Sequence, residues 1–259
     1  MFLAYACHKN FKVYQMDVKS AFVNGNLEEE VYMEQPGVFS LTDKSDYVCK
    51  LKKALYGLKQ VPRAWYSRLD KYLHEKGFKK DTADSNLYIK SEGDNLLVVL
   101  VYVDDIIFGC TNNLFVQWFS NAMKSEFEMS MIGELSYFLG LQIIQNSEGL
   151  FLSQEKYLKE MLKRFQMEDS SPISTPMVVG CKLRKYDISP DVDQRTYKPM
   201  IGSLLYITTT RPDIMQVMFM VGRFQSAMKQ SHLTAVKRIF KYLKGTMTYG
   251  LWYPRNQNF

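Results

Sequence analysis

Two adjacent carboxylates, Asp104 and Asp105, stand inside one of the most apolar stretches of the chain. Leu96 to Val103 precedes them and Ile106 to Phe108 follows. Each carboxylate raises the pKa of its neighbour unless a cation compensates the charge, and oxygen ligands suit a hard cation such as Mg²⁺. The pair is therefore a candidate metal site. A tight turn between two core strands is the alternative interpretation, because Asp tolerates turn geometry.

A third carboxylate, Asp17, follows a short run with strand character, Phe11 to Met16. A site for a divalent cation usually draws its oxygen ligands from more than one segment. We therefore expect Asp17 on a strand beside the hairpin that carries Asp104 and Asp105. Considered alone, Asp17 would be a solvated residue at the end of a strand.

The apolar spacing around these carboxylates predicts strands and helices that alternate around one sheet, an α+β fold. A hairpin is predicted from the two apolar runs, with the acidic pair at its tip and Gly109 ending the second strand. Further predicted elements are a helix from Pro62 to Gly77, a helix from Leu114 to Phe127, strands at 138–144 and 150–153, and a helix capped by Ser153.

The last third of the chain has a different character. Residues 169–198 contain several Pro, Ser and Asp residues with little periodicity, which indicates a linker or an extended wrap. Helices are predicted after it at 199–209, 213–228 and 231–244, and their apolar positions indicate a small bundle core. The expected domains are therefore 1–168, 169–198 and 199–259.

Composition limits the class of protein. With 259 residues and 46% hydrophobic content the chain can bury a core, so it is not a disordered polypeptide. Its four cysteines are scattered without the close pairs of a zinc or redox motif, which favours a reduced, intracellular protein. It shows neither a membrane span nor a secretory signal. The net charge is +6 and no acidic residue follows Ile214, a distribution that suits a phosphate backbone.

The carboxylates belong to a longer series of motifs. Asp17 is followed five residues later by Phe22, and residues 102–105 form a Tyr-x-Asp-Asp box. The segments 55–66, 137–143 and 149–154 complete the series. Together they resemble the copia-type (Pseudoviridae) retrotransposon reverse transcriptase. In that resemblance Asp17 and Phe22 belong to motif A, residues 55–66 to motif B and residues 102–105 to motif C. Residues 137–143 resemble motif D, and residues 149–154 resemble the primer-grip hairpin.

This resemblance implies a reverse-transcriptase palm, an antiparallel sheet packed on helices, followed by a small helical thumb. The implied activity is RNA-directed DNA polymerisation by two-metal nucleotidyl transfer with Mg²⁺ or Mn²⁺. Asp17 and Asp104 would bridge the two ions, Asp105 would contribute less directly, and the main-chain carbonyl of Val18 would be a further ligand.

The resemblance also implies binding residues. Phe22, Tyr102 and Gly57 would contact the incoming nucleotide, with Phe22 excluding a 2′-hydroxyl. Tyr56 stands where retroviral relatives often have Gln, so the role of that Gln does not transfer. The residues expected to contact template, primer or their phosphates are Lys59, Gln60, Arg63, Lys237, Arg238 and Lys241.

The implied partners are an RNA or DNA template with its primer, deoxynucleoside triphosphates and other segments of the retrotransposon polyprotein, in a cytoplasmic virus-like particle or the nucleus. Only sixteen residues precede Asp17, whereas this family carries its fingers upstream, and the resemblance ends where an RNase H domain would start. We therefore expect a truncated polymerase with little activity alone. A non-catalytic nucleic-acid-binding remnant is the alternative. A phosphohydrolase or receiver-type protein would explain the acidic pair but not the other motifs.

Overall fold

The computed structural model describes residues 1–36, 47–186 and 188–255. The chain divides into two compact units, Met1–Leu135 and Ser136–Phe259. The boundary between the units lies before residue 168, where the sequence pattern changes, because the strands after Ser136 belong to the second unit. No helix in the described ranges combines the length and apolar character of a membrane span.

The first unit is built on a six-stranded antiparallel sheet. Its strands are β1 (Val13–Val18), β4 (Lys79–Lys80), β5 (Leu87–Glu92), β6 (Asn95–Tyr102), β7 (Asp105–Cys110) and β8 (Met129–Glu134). Their order is β4-β5-β6-β7-β1-β8, so β1 is inserted between the hairpin strand β7 and β8. A separate two-stranded ribbon pairs β2 (Tyr32–Glu34) with β3 (Val48–Lys50).

Three α-helices accompany this sheet in the described part of the unit: α1 (Phe2–His8), α2 (Val61–Glu75) and α3 (Asn113–Glu126). In α2 the spacing of Trp65, Leu69 and Leu73 places these side chains on one buried face. The side chain of Asn112 caps α3 by accepting a hydrogen bond from the Leu114 N–H. The apolar faces of α2 and α3 share one core with the central strands.

Gly109 does not end the second hairpin strand, as the sequence pattern had suggested. It lies inside β7, opposite Val13 of β1. A Cβ atom at this position would stand 2.7 Å from the Lys12 carbonyl oxygen and 2.6 Å from the Phe11 ring. Glycine is needed here because the Lys12 main chain and the Phe11 ring approach closely, and not because the strand stops.

The second unit combines a four-stranded antiparallel sheet with four α-helices in its described residues. The strands are β9 (Tyr137–Phe138), β10 (Leu141–Gln145), β11 (Gly149–Ser153) and β12 (Gly250–Pro254), in the order β12-β11-β10-β9. The helices are α4 (Glu155–Arg164), α5 (Gln194–Ile207), α6 (Met215–Gly222) and α7 (Gln230–Gly245). Their apolar faces form a helical core. The predicted α+β class, with an antiparallel sheet followed by a small helical region, is confirmed.

Several predicted boundaries in this unit were wrong for local reasons. The strand expected at 138–144 is interrupted because Leu139 and Gly140 adopt φ values of +46° and +79°. Ser153 does not cap α4; it pairs with Gln142 as the last residue of β11. The helix expected to begin at Pro199 begins at Gln194, because the side chain of Asp193 accepts a hydrogen bond from the Arg195 N–H.

The segment expected as a linker or wrap lies against α7. The Ile173 N–H donates to the Lys241 carbonyl oxygen at 3.4 Å, and the His232 Nε2 atom is 2.9 Å from the Arg184 carbonyl oxygen. Met177 and Leu183 pack on the helical core. The described part of this segment is therefore an extended wrap on its own unit.

Candidate active site

Three carboxylates meet at one end of the first sheet. Asp17 and Asp105 are register partners across β1 and β7. Asp104 occupies the turn just before β7, and its carbonyl oxygen accepts a hydrogen bond from the Val18 N–H at 3.1 Å. We call Asp17, Asp104 and Asp105 the carboxylate site. Its members come from two segments that the antiparallel pairing of β1 with the hairpin brings together.

The electrostatics of the site follow from this crowding. Burial raises the pKa of Asp17, and the negative charges of Asp104 and Asp105 raise it further. Asp104 is exposed, while Asp17 and Asp105 are half-buried. The Gln15 Nε2 atom donates a hydrogen bond to Asp105 Oδ1 at 2.8 Å, which orients that carboxylate. Gln15 was not expected at the site; its position two residues before Asp17 on a strand was the available signal.

The turn that carries Asp104 has an unusual backbone. Tyr102 pairs with Asp105, so Val103 and Asp104 form a two-residue hairpin turn. Val103 has a φ of +59°, in the left-handed region that such turns usually fill with Gly or Asn. The Trp65 Nε1–H donates to the Val103 carbonyl oxygen at 2.7 Å, and the Val103 N–H donates to the Tyr66 hydroxyl oxygen at 3.0 Å.

The donor set of the carboxylate site suits a hard divalent cation. Among the described residues, no three His, Cys, Asp or Glu side chains form a ready-made metal cage. Mg²⁺, however, is commonly held by one or two protein carboxylates together with water and substrate phosphates. The pKa of Asp17 is raised by burial and then by repulsion from Asp104 and Asp105, and a bound cation would relieve that repulsion. The residues therefore fit such an ion, with Val18 adjoining them at the end of β1.

Phe22 has an aromatic partner that the sequence analysis missed. It lies in a short 3₁₀ helix, Ala21–Asn24, and is half-buried against the core of the first unit. Its ring packs edge-on against Tyr56, with the ring centroids 5.4 Å apart. Gly57, next to Tyr56, has a φ of +96° and open space where a side chain would point. Tyr102 is 48% exposed.

The predicted basic contacts fall into two groups, one in each unit. Lys59 and Arg63 are exposed around the start of α2, where the half-buried Gln60 makes no side-chain cap hydrogen bond. The second group, Lys237, Arg238 and Lys241, lies on α7 and lines a cavity of about 760 Å³ in the second unit. The structure thus collects the carboxylates into one site and places one group of these basic residues in each unit.

Comparison with known proteins places these features in a family context. The family model described as "Reverse transcriptase (RNA-dependent DNA polymerase)" matches residues 1–179. The chain is 38% identical over 250 residues to the "Retrovirus-related Pol polyprotein from transposon RE1" of Arabidopsis thaliana, covering 96% of this chain and 17% of that protein. It is 37% identical over 254 residues to the "Retrovirus-related Pol polyprotein from transposon TNT 1-94" of Nicotiana tabacum, covering 94% of this chain and 19% of that protein. The chain therefore spans less than a fifth of these two relatives.

Proposed function

Because the chain belongs to the reverse transcriptase (RNA-dependent DNA polymerase) family, of the copia type, we propose that the carboxylate site catalyses template-directed nucleotidyl transfer. In this reaction the primer 3′-hydroxyl attacks the α-phosphorus of a deoxynucleoside triphosphate and pyrophosphate leaves. The observation that carries the proposal is the convergence of Asp17, Asp104 and Asp105, in which the pKa of Asp17 is raised by burial and by the other two charges.

Asp17 and Asp104 would hold Mg²⁺ or Mn²⁺, with Asp105 and the main-chain carbonyl of Val18 as further ligands. When bound, such ions supply Lewis-acid stabilisation of the transferring phosphoryl group and of the attacking oxygen. Gln15 keeps the Asp105 carboxylate in a fixed orientation through its hydrogen bond of 2.8 Å. A preorganised set of carboxylates needs little rearrangement when the substrate arrives.

Phe22 is the proposed selector of deoxynucleotides. Its ring packs edge-on against Tyr56, so the two side chains together present an aromatic wall. Gly57 leaves the neighbouring main chain uncovered, and the exposed Tyr102 flanks the acidic pair. We propose these residues as the contacts of the incoming nucleotide.

The proposed nucleic-acid partner is an RNA or DNA template with its primer. Phosphate contacts would come from Lys59, Gln60 and Arg63 in the first unit and from Lys237, Arg238 and Lys241 in the second. Because the chain covers 17% of the transposon RE1 polyprotein, we propose that it works with other segments of a longer polyprotein. Copying would then take place in a virus-like particle of the cytoplasm or in the nucleus.

The proposal is tested by primer extension on an RNA template with Mg²⁺ or Mn²⁺. We expect slow, template-dependent addition of deoxynucleotides that Asp104→Asn abolishes. Asp94→Asn is the matched control, because Asp94 is an exposed residue in the turn between β5 and β6 of the same sheet. Addition that survives Asp104→Asn would contradict the assignment. Binding of primer–template without any addition would favour the non-catalytic nucleic-acid-binding alternative.

A further inference from the structure

The turns at the two ends of β6 begin with the same positive φ but with different residues. Gly93 and Asp94 connect β5 to β6, whereas Val103 and Asp104 connect β6 to β7. The first residue of each turn has a φ of +59°. Glycine adopts this conformation without cost, but a β-branched residue does so only when its surroundings impose it.

The surroundings that impose it on Val103 come from α2. Tyr66 accepts the Val103 N–H at 3.0 Å, and the Trp65 Nε1–H donates to the Val103 carbonyl oxygen at 2.7 Å. Trp65 is fully buried and packs edge-on against Phe127, with the ring centroids 5.2 Å apart. Both main-chain polar groups of Val103 are therefore held by two consecutive side chains of one helix.

The hydrogen bond from Trp65 acts directly on the peptide that precedes Asp104, because the Val103 carbonyl group belongs to that peptide. The peptide that follows is held from the other side, because the Asp104 carbonyl oxygen accepts the Val18 N–H at 3.1 Å. The main chain on both sides of the Asp104 side chain is thus held between α2 and β1, the strand that carries Asp17. If Val103 relaxed to a negative φ, the Asp104 main chain would rotate and its carboxylate would turn relative to Asp17.

We propose that Tyr66 and Trp65 are positioning residues for the metal-binding carboxylates. They hold Val103 in the left-handed conformation and thereby orient the main chain of Asp104, so that its carboxylate and that of Asp17 can bind the same cation. This role rests on the proposed function and deepens it, since it identifies α2 as the element that sets the geometry of the carboxylate site.

The test is the affinity of the purified chain for Mn²⁺, measured by electron paramagnetic resonance, in a cycle of substitutions. Asp104→Asn should abolish the site. Tyr66→Phe removes the hydroxyl acceptor and should weaken Mn²⁺ binding by about tenfold, the lower end of what residues behind metal ligands contribute. In a Val103→Gly background the turn adopts its positive φ without help from α2, because glycine has no side chain that opposes it. Tyr66→Phe should then weaken Mn²⁺ binding by less than about threefold.

Tyr72→Phe is the matched control for a merely structural role. Tyr72 also lies on α2, and its hydroxyl donates to the Ala122 carbonyl oxygen at 2.6 Å, away from the turn. It should change thermal stability about as much as Tyr66→Phe does while leaving Mn²⁺ affinity unchanged.

The outcomes separate the two proposals. Loss of binding in Asp104→Asn with no change in Tyr66→Phe would overturn the positioning role and leave the proposed function standing. An equal Tyr66→Phe effect in the wild-type and Val103→Gly backgrounds would do the same. Full Mn²⁺ binding by Asp104→Asn would overturn the metal site itself, and the positioning role with it.

Discussion

Asp17 lies opposite Asp105 as its register partner across β1 and β7, and the main chain of Val18 is hydrogen-bonded to Asp104 beside this pair. An antiparallel sheet normally avoids like charges in directly opposed positions, because they destabilise the pairing. Here they persist at the end of a sheet whose central strands contribute mainly apolar side chains to the core. The arrangement costs stability in the absence of a cation and creates the charge density that a divalent cation needs.

The pKa of Asp17 should report this coupling. Asp104→Asn removes one of the negative charges that raise the pKa of Asp17, so that pKa should fall while staying above its ordinary value because burial remains. Carboxyl-carbon NMR titration of the two proteins measures the change. Asp94→Asn should leave the titration of Asp17 where it is. An Asp17 titration that is identical in the wild-type and Asp104→Asn proteins would show that the two carboxylates do not interact.

The same shift predicts a stability effect with a definite sign. Folding raises the pKa of Asp17, so its ionised form opposes folding once the pH exceeds the unfolded value of about 3.9, and fully so above the folded value. Asp17→Asn should therefore increase the free energy of unfolding at neutral pH relative to wild type. The gain should disappear below about pH 3, where Asp17 is protonated in the folded and in the unfolded protein. Urea unfolding at the two pH values measures it, and a gain that persists in acid would point to another cause.

A buried arginine should be important for the stability of the second unit. Arg211 is 1% exposed, and its Nε and Nη2 atoms donate to the two carboxylate oxygens of Asp213 at 2.9 and 2.7 Å. Its Nη1 atom donates to the Thr246 carbonyl oxygen at 2.8 Å. Arg211→Met removes these three donated hydrogen bonds, and Asp213 Oδ2 keeps only the hydrogen bond from the Tyr242 hydroxyl at 2.8 Å. We expect a loss of about 2–4 kcal/mol, somewhat below the range for fully buried pairs because Asp213 is 36% exposed.

Chemical denaturation of Arg211→Met measures this loss. Arg223→Met is the control, since Arg223 is exposed in the same unit and should change the unfolding free energy by no more than about 0.5 kcal/mol. Equal effects of the two substitutions would show that the buried network contributes nothing specific.

Two glycines should respond oppositely to alanine. Gly109→Ala would place a Cβ atom 2.7 Å from the Lys12 carbonyl oxygen, and overpacking of this kind costs about 1–3 kcal/mol. Gly202 lies within α5, and such a Cβ would point into open space beyond its own helix, so Gly202→Ala should stabilise the protein by about 0.5–1 kcal/mol. Differential scanning calorimetry distinguishes the signs. A Gly109→Ala protein as stable as wild type would mean that β1 and β7 are not packed as described.

Binding of primer–template duplex should depend steeply on salt and not on sequence. Each phosphate contact that Lys237 or Lys241 makes should contribute about one unit to the slope of log affinity against log salt. Lys237→Gln and Lys241→Gln should each reduce that slope by about one, as fluorescence anisotropy would measure. An affinity that does not change between about 50 and about 200 mM salt would exclude phosphate neutralisation as the source of binding.

The sequence predicted the acidic hairpin and α2 because local signals specify both. Two apolar runs interrupted by Asp104 and Asp105 leave few alternatives to a hairpin, and the apolar stripe between Pro62 and Gly77 defines a helix. The contacts of Trp65 and Tyr66 with Val103 were not predictable. They join residues far apart in sequence, and a valine with a positive φ contradicts its local preference. The Phe22–Tyr56 contact was not predictable either, because these two residues are also far apart in sequence.

The most direct test of the central claim, that the carboxylate site works as one catalytic unit, is the single-turnover rate of nucleotide addition with Mg²⁺. Asp17→Asn and Asp104→Asn should each lower the rate by about a hundredfold or more, at least the loss seen when residues behind metal ligands are removed. The double substitution should lower it little further, because groups that act as a unit are not additive. A double-mutant loss equal to the product of the single losses, or a wild-type rate in Asp104→Asn, would contradict the account.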